Sequence, residues 1–220
     1  AAPIQNIGAY GAELSDSFHN ATAVERDTGV LKIFNHIDCK FGYRDSVFKN
    51  DLKDKYIITS LCLSLTKKKH RLNTDYGSIS ETLNQMGVKA PTILDISNAV
   101  IRIRSSKLPD PKTLGNAGSF FKNPLVQKKI TTELLKKHPK MPHYPIDEYF
   151  EKIPAGWLIE KLGLKGFKKG NVGIYEKQAL ILVNYGKASG NEILKLSKFV
   201  MDNVKECFNI DLDSEVNIIR

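Results

Sequence analysis

Cysteine is scarce in this sequence. Only Cys39, Cys62 and Cys207 occur, odd in number, far apart and in no CxxC or Cys/His spacing. This argues against a disulfide framework or a zinc site and fits a reducing cytosol. Long hydrophobic runs are also missing: the longest, around residues 56–65 and 179–185, have the length of strands and fall short of a bilayer span. No signal peptide opens the chain, which begins at Ala1 and not at Met. The five histidines (His19, His36, His70, His138 and His143) form no HxxxH pattern, and no paired His and Asp stand near the serine of GNAGSFFKNP as a hydrolase triad would need. No metal site is expected, and no internal repeat or low-complexity segment occurs.

Acidic residues are the minority charge. Against 24 Asp and Glu stand 33 Lys and Arg, a formal net charge of +9, which suits an anionic partner: a polyanion, a membrane surface or a phosphorylated substrate. The cluster Lys67 to Arg71 raises the nucleic-acid reading, but no helix-turn-helix, RNP-like aromatic pattern or zinc motif accompanies it. With 220 residues, 41% of them hydrophobic, the chain has enough apolar side chain to bury one large or two modest cores, and disorder is not expected.

Periodicity predicts the elements. Residues 18–35 read as a β-hairpin around Asp27-Thr28-Gly29. In residues 56–66 Ile57, Thr59, Leu61, Leu63 and Leu65 alternate with Ile58, Ser60, Cys62 and Ser64, which predicts a strand with one buried face. Helices are expected at about 78–86, 93–106, 127–138, 154–162 and 190–208, with strands at 179–184 and 215–219. Ile96, Ala99, Val100 and Ile103 mark the inner face of the second helix. In the last helix Ile193, Leu196, Val200, Val204 and Cys207 form the apolar stripe, an ordinary core stripe, with Lys195, Lys198, Asp202 and Lys205 outside. Pro109, Pro111 and Gly115 punctuate the chain and set the preferred domain boundary.

Three segments carry chemistry. In Pro3 to Gly11 (PIQNIGAYG) two glycines three apart let backbone approach a flat or phosphorylated ligand, although such turns are common in α/β proteins. GNAGSFFKNP (115–124) packs small residues, a hydroxyl, a cation and an amide together. Its Ser119 suits either a tight turn or a strand end aimed into a dry site, where a hydroxyl without an adjacent base is better placed to donate a proton than to attack. FGYRDS (41–46) and RIRSSKLPDPK (102–112) set Arg and Lys beside rigid Pro and Gly positions, where guanidinium forks suit carboxylate or pyrophosphate oxygens. A solvated basic surface is the plainer reading of the same residues.

Together with NTDYG (73–77), KLPDPK, PAGWLIEKLGLKG, KQALILVN and SEVNII, these segments resemble the UDP-N-acetylenolpyruvoylglucosamine reductase (MurB) family along essentially the whole chain, GNAGSFFKNP being the most specific. The resemblance implies an α+β fold. A partial, PCMH-like FAD-binding domain over residues 1–112 would precede a mixed α/β substrate-binding domain over 113–210, with a strand over 211–220 returning to the active site. It implies a cytoplasmic, monomeric flavoenzyme of peptidoglycan precursor synthesis: NADPH reduces FAD, and the flavin reduces UDP-N-acetylglucosamine enolpyruvate to UDP-N-acetylmuramate. Neither nucleic acid nor membrane is an expected partner.

By the same resemblance Ser119 donates the proton, while Arg44 and Glu215 bind and polarise the substrate carboxylate. Tyr10, Tyr76, Lys107, Asn123 and Gln178 hold the UDP-sugar, Lys107 and Asn123 near the diphosphate and Tyr76 as a closing residue. Ile4, Gln5, Ile7, Gly8 and Arg104 lie against FAD. Asn217 departs from the family pattern, which often has an Arg two residues beyond the glutamate. The family's glycine-rich FAD-diphosphate segment, which precedes PIQNIGAYG, has no counterpart in this sequence. The chain is therefore expected to be a fragment or processed product that binds FAD poorly, and a non-catalytic UDP-sugar binder is the alternative.

Overall fold

The computed structural model describes residues 2–219. It divides into two compact units, Ala1–Ile103 and Arg104–Arg220. In the first unit a short hairpin of β1 (Gly8–Ala9) and β2 (Ala12–Glu13) leads into β3 (Phe18–Glu25) and β4 (Leu31–Asn35). A one-turn helix α1 (His36–Cys39), β5 (Tyr56–Leu63) and helices α2 (Ile79–Gln85) and α3 (Ile93–Lys107) follow, the last turn of α3 belonging to the second unit. The main sheet is antiparallel in the order β4-β3-β5. Ala21 and Ala23 on its central strand are buried, leaving room for Phe34, whose ring meets Phe48 and Tyr56 edge-on at 5.0 Å each. Cys39 lies in this core with Phe18 and Val47. Ile79, Leu83, Ala99 and Ile103 of α2 and α3 form a separate small core, with Tyr10 packed on it.

The second unit continues with β6 (Gly115–Ser119), β7 (Leu125–Gln127), α4 (Lys128–Lys137), β8 (Tyr144–Pro145), β9 (Phe150–Lys152), α5 (Ala155–Lys161), β10 (Lys168–Lys169), β11 (Val172–Ile174), β12 (Ile181–Asn184) and α6 (Gly190–Phe208). Two antiparallel sheets result, β10-β11-β12-β6 and β7-β9-β8. α5 and α6 pack with the first sheet around Leu158, Ile159, Ile174, Val200 and Val204, all fully buried. Burial of each such side chain stabilises by about 1.5–3 kcal/mol. Ser189 caps α6 reciprocally with Glu192: its Oγ accepts from the Glu192 amide, and its own amide donates to the Glu192 carboxylate at 2.8 Å. Antiparallel sheets beside separate helices make this the expected α+β architecture. Among the described residues no helix is long and apolar enough to cross a membrane.

The hairpin, the five helices and the strands around residues 56 and 181 form where periodicity predicts them. Three expectations are corrected. The uniform alternation of β5 breaks at Thr59, an extra residue between the pairs Ala23–Ile58 and Thr22–Ser60. This bulge puts Leu61 and Leu63 on the face of Ile58 and leaves Ile57 on the other, in a row with Val24 and Leu31. Ile57 and Leu31 are exposed, so the predicted single buried face does not exist. In α6 Phe208, not Cys207, ends the buried stripe: from Val200 the inward positions advance by four residues, and the helix turns Cys207 to the surface. Residues 215–219 form no strand; an isolated bridge between Phe121 and Ser214 is the last sheet-like contact.

Leu158→Ala should destabilise the second unit by about 2–5 kcal/mol. Urea unfolding followed by fluorescence of Trp157, the only tryptophan, reads this directly. Cys207→Ser should stay within about 0.5 kcal/mol of the parent. Burial, and secondarily the Asp38 charge, push the Cys39 thiol up to about 11. At mildly alkaline pH a disulfide reagent should therefore modify Cys62 and Cys207 promptly and Cys39 only on unfolding.

Candidate functional site

In the first unit two tight turns face each other. The β1–β2 hairpin turns through Tyr10 and Gly11 at φ +55° and +78°, the positive angles a type I′ turn demands. A Cβ on Gly11 would come within 2.4 Å of the Asn73 side chain, whose amide donates to the Gly11 carbonyl at 3.1 Å. In FGYRDS, Gly42 and Asp45 pair across Tyr43 and Arg44, and Arg44 adopts φ +54°. Such a backbone angle is uncommon for a long side chain and persists only where surrounding contacts impose it.

Those contacts come from PIQNIGAYG. Asn6 is 1% exposed, and its amide donates to Glu13 Oε2 at 2.8 Å and to the Gly42 carbonyl at 3.0 Å, while its oxygen accepts from the Ser15 amide at 2.9 Å. Ser46 Oγ donates to the Ile4 carbonyl and accepts from the Phe48 amide. Arg44 Nη2 donates to the Gly8 carbonyl, and its Nη1 lies 4.0 Å from Glu13 Oε1. The Arg44 guanidinium also sits over the Tyr43 ring, 5.3 Å from its centroid. Gly8 has no room for a side chain, since a Cβ would fall 2.8 Å from Glu13 Cγ and 3.1 Å from Arg44 Nη1. Thus Arg44 is gathered against the segment bearing Ile4, Gln5, Ile7 and Gly8. Ile4 and Ile7 are exposed and present apolar surface on either side of Gln5 and Asn6. Tyr10 and Tyr76 also meet, edge-on at 6.1 Å between centroids.

The second unit assembles another set. Ser119 ends β6 opposite Ile181 of β12, and the Phe120 amide donates to the Leu180 carbonyl. On the other side, the Glu215 amide donates to the Phe120 carbonyl at 2.8 Å and the Lys122 amide to the Asp213 carbonyl at 2.9 Å. Backbone pairing thereby sets Glu215 beside the Ser119–Phe120 strand end. Phe120 and Phe121 are buried, while Ser119 is exposed. Asn123 Oδ1 accepts from the Ala155 amide at the start of α5 at 3.0 Å. A Cβ on the neighbouring Gly156 would lie 3.5 Å from Gln178 Oε1, so Asn123 and Gln178 share one neighbourhood. Arg104 and Lys107 are exposed on the last turn of α3. A groove beside the stacked rings of Phe167 and Phe199, walled by Val172, Glu192 and Leu196, includes none of these residues.

Sequence reasoning missed Asn6 and Glu13. Asn6 stood inside PIQNIGAYG, two residues before Gly8, but its burial leaves no mark in the sequence. Glu13 left no signal, because its partner Arg44 is remote along the chain.

A family model for the C-terminal domain of UDP-N-acetylenolpyruvoylglucosamine reductase matches residues 110–219. The chain belongs to this reductase family. It is 51% identical over 217 residues to the UDP-N-acetylenolpyruvoylglucosamine reductase of Flavobacterium johnsoniae, covering 99% of this chain and 64% of that protein. The reductase of Pseudomonas syringae pv. syringae is 45% identical over 218 residues, with 99% and 64% coverage. The chain thus spans about 64% of the length of these curated relatives. The crystal structure of the reductase (MurB) from Thermus caldophilus shares the fold at TM-score 0.60 and 21% identity, covering 100% of this chain and 59% of that one.

Ser46→Ala should cost the first unit about 1–3 kcal/mol, because the Ile4 carbonyl and the buried Phe48 amide both lose their partner. Hydrogen exchange at the Phe48 amide should accelerate correspondingly, whereas Ser80→Ala, at an exposed hydroxyl, should leave that amide unchanged.

Proposed function

We propose that this chain carries the substrate-reducing machinery of a peptidoglycan-precursor reductase, which converts UDP-N-acetylglucosamine enolpyruvate to UDP-N-acetylmuramate with NADPH and FAD. The observation supporting this most directly is the return of residues 213–215 alongside 120–122, within a segment that matches the family model. It unites two of the three proposed catalytic groups, Ser119 and Glu215, although almost a hundred residues separate them in the chain.

Bound FAD would relay hydride from NADPH to the terminal carbon of the enolpyruvyl double bond. Ile4, Gln5, Ile7 and Gly8 would lie against the flavin, with Arg104 as a charged neighbour. The electron pair of that double bond moves onto the carbon bearing the carboxylate, and negative charge grows on the carboxylate oxygens. Arg44 stabilises that charge, and a preorganised cation does so more in the transition state than in the ground state. Ser119 Oγ–H gives its proton to the same carbon. A serine hydroxyl is a weak acid, so the step needs a site closed to water and a strongly basic acceptor, which the enolate provides. Glu215 polarises the substrate beside Ser119. Tyr10 and Tyr76 cover the sugar nucleotide, and Lys107, Asn123 and Gln178 hold its diphosphate and sugar. The positive charge of the chain matches a substrate bearing a diphosphate and a carboxylate. A cytoplasmic, monomeric enzyme belongs to this reading.

The test mixes the chain with FAD, NADPH and the enolpyruvyl UDP-sugar and follows NADPH absorbance. Turnover should appear and fall by about 10²–10⁴-fold in Ser119→Ala, with flavin reduction by NADPH unchanged. Equal turnover in Ser119→Ala would remove the serine from the reaction. Sugar binding without any turnover would make the chain a UDP-sugar binder.

A further inference from the structure

From the contacts around Arg44 we infer that Glu13 is a positioning residue for its guanidinium and thereby sets how strongly the protein prefers a carboxylate-bearing ligand. The inference rests on the reading of Arg44 as the carboxylate-binding group. Glu13 is bifunctional in geometry. Its Oε2 is pinned by the buried Asn6 amide at 2.8 Å, and its Oε1 faces Arg44 Nη1 at 4.0 Å. Glu13 and Gly8 are registered opposite each other in the β1–β2 ladder. The hairpin therefore offers Arg44 a hydrogen-bond acceptor for Nη2, the Gly8 carbonyl, and a carboxylate charge 4.0 Å from Nη1 on Glu13.

With the Nη2 hydrogen bond as one anchor, the Glu13 charge beside Nη1 favours one orientation of the guanidinium plane. The surroundings make that plane matter. The Arg44 side chain is 17% exposed, and the Lys49 ammonium holds its backbone carbonyl at 2.9 Å. Its backbone is already confined to a left-handed turn. The chain of contacts from Asn6 to Glu13 to Arg44 thus transmits the burial of one amide into the orientation of one cation, as outer contacts do for functional groups generally.

Glu13→Gln tests this cleanly. The glutamine oxygen can still accept from Asn6, which preserves the hairpin, but its other end then presents NH₂ to Arg44, donor against donor. Affinities of the full chain for UDP-N-acetylglucosamine enolpyruvate and for UDP-N-acetylglucosamine, which lacks the carboxylate, are measured by calorimetry. The parent chain should favour the first, and Glu13→Gln should reduce that ratio about tenfold, the equivalent of 1.4 kcal/mol. A purely structural role would weaken both sugars alike and leave the ratio unmoved, which overturns the inference; so does a ratio that rises, since Glu13 would then be a competitor for Arg44. A parent chain with no preference between the sugars defeats the Arg44 reading instead. The role of Glu13 is then decided without ligand, from the Arg44 Nε–Hε resonance, assigned with Arg44→Lys. That signal should move toward the free-arginine position in Glu13→Gln while the amide spectrum of β3–β5 stays unchanged, and an unmoved signal overturns the inference.

Discussion

Everything proposed for the first unit depends on one buried amide. Asn6 is excluded from water with both its amide and its oxygen engaged, and an unsatisfied polar group there would cost as much as several good packing contacts contribute. Its three partners belong to three different stretches: the Gly42 turn, the Ser15 turn and β2. Asn6 therefore holds the glycine-bearing segment and the FGYRDS turn together. Ser46 and Arg44 close the same seam through the carbonyls of Ile4 and Gly8. Backbone that must lie this close to a neighbour cannot carry a side chain, and Gly8 reflects that constraint.

The second unit solves its positioning problem differently. Ser119 and Glu215 stand where β-type backbone pairing puts them, and the pairing is anchored by Phe120, Phe121, Leu212 and Ile210, all buried in the main core. A hydroxyl at the end of a strand whose next two residues are buried has little freedom in its main chain, and precise placement of a proposed proton donor needs that rigidity. Asn123 illustrates the economy of the arrangement. Its carbonyl oxygen satisfies the Ala155 amide, so the side chain assigned to the ligand by resemblance also holds the start of α5.

Much of the fold was legible in the sequence because its signals are local. Helices such as α6 announce themselves through the spacing of their apolar residues, and the β3–β4 hairpin through its turn residues. The motif residues were legible for the same reason, as short strings. The failures share a physical cause as well. A bulge at Thr59 inverts the faces of β5 without altering its composition. The drift of a 3.6-residue period moves Cys207 out and Phe208 in, and the apolar segment over 215–219 follows an isolated bridge at Ser214 without forming a strand.

By itself the sequence determined most of the element types and the family, since each is written in local patterns or short motifs. Tertiary structure alone decided which distant residues share a neighbourhood: Glu13 with Arg44, Glu215 with Ser119, Asn123 with Gln178. The reason is that hydrogen bonds and packing act through space. Whether a carboxylate faces a guanidinium depends on the register of a hairpin and the depth of a buried amide, and no spacing along the chain encodes either.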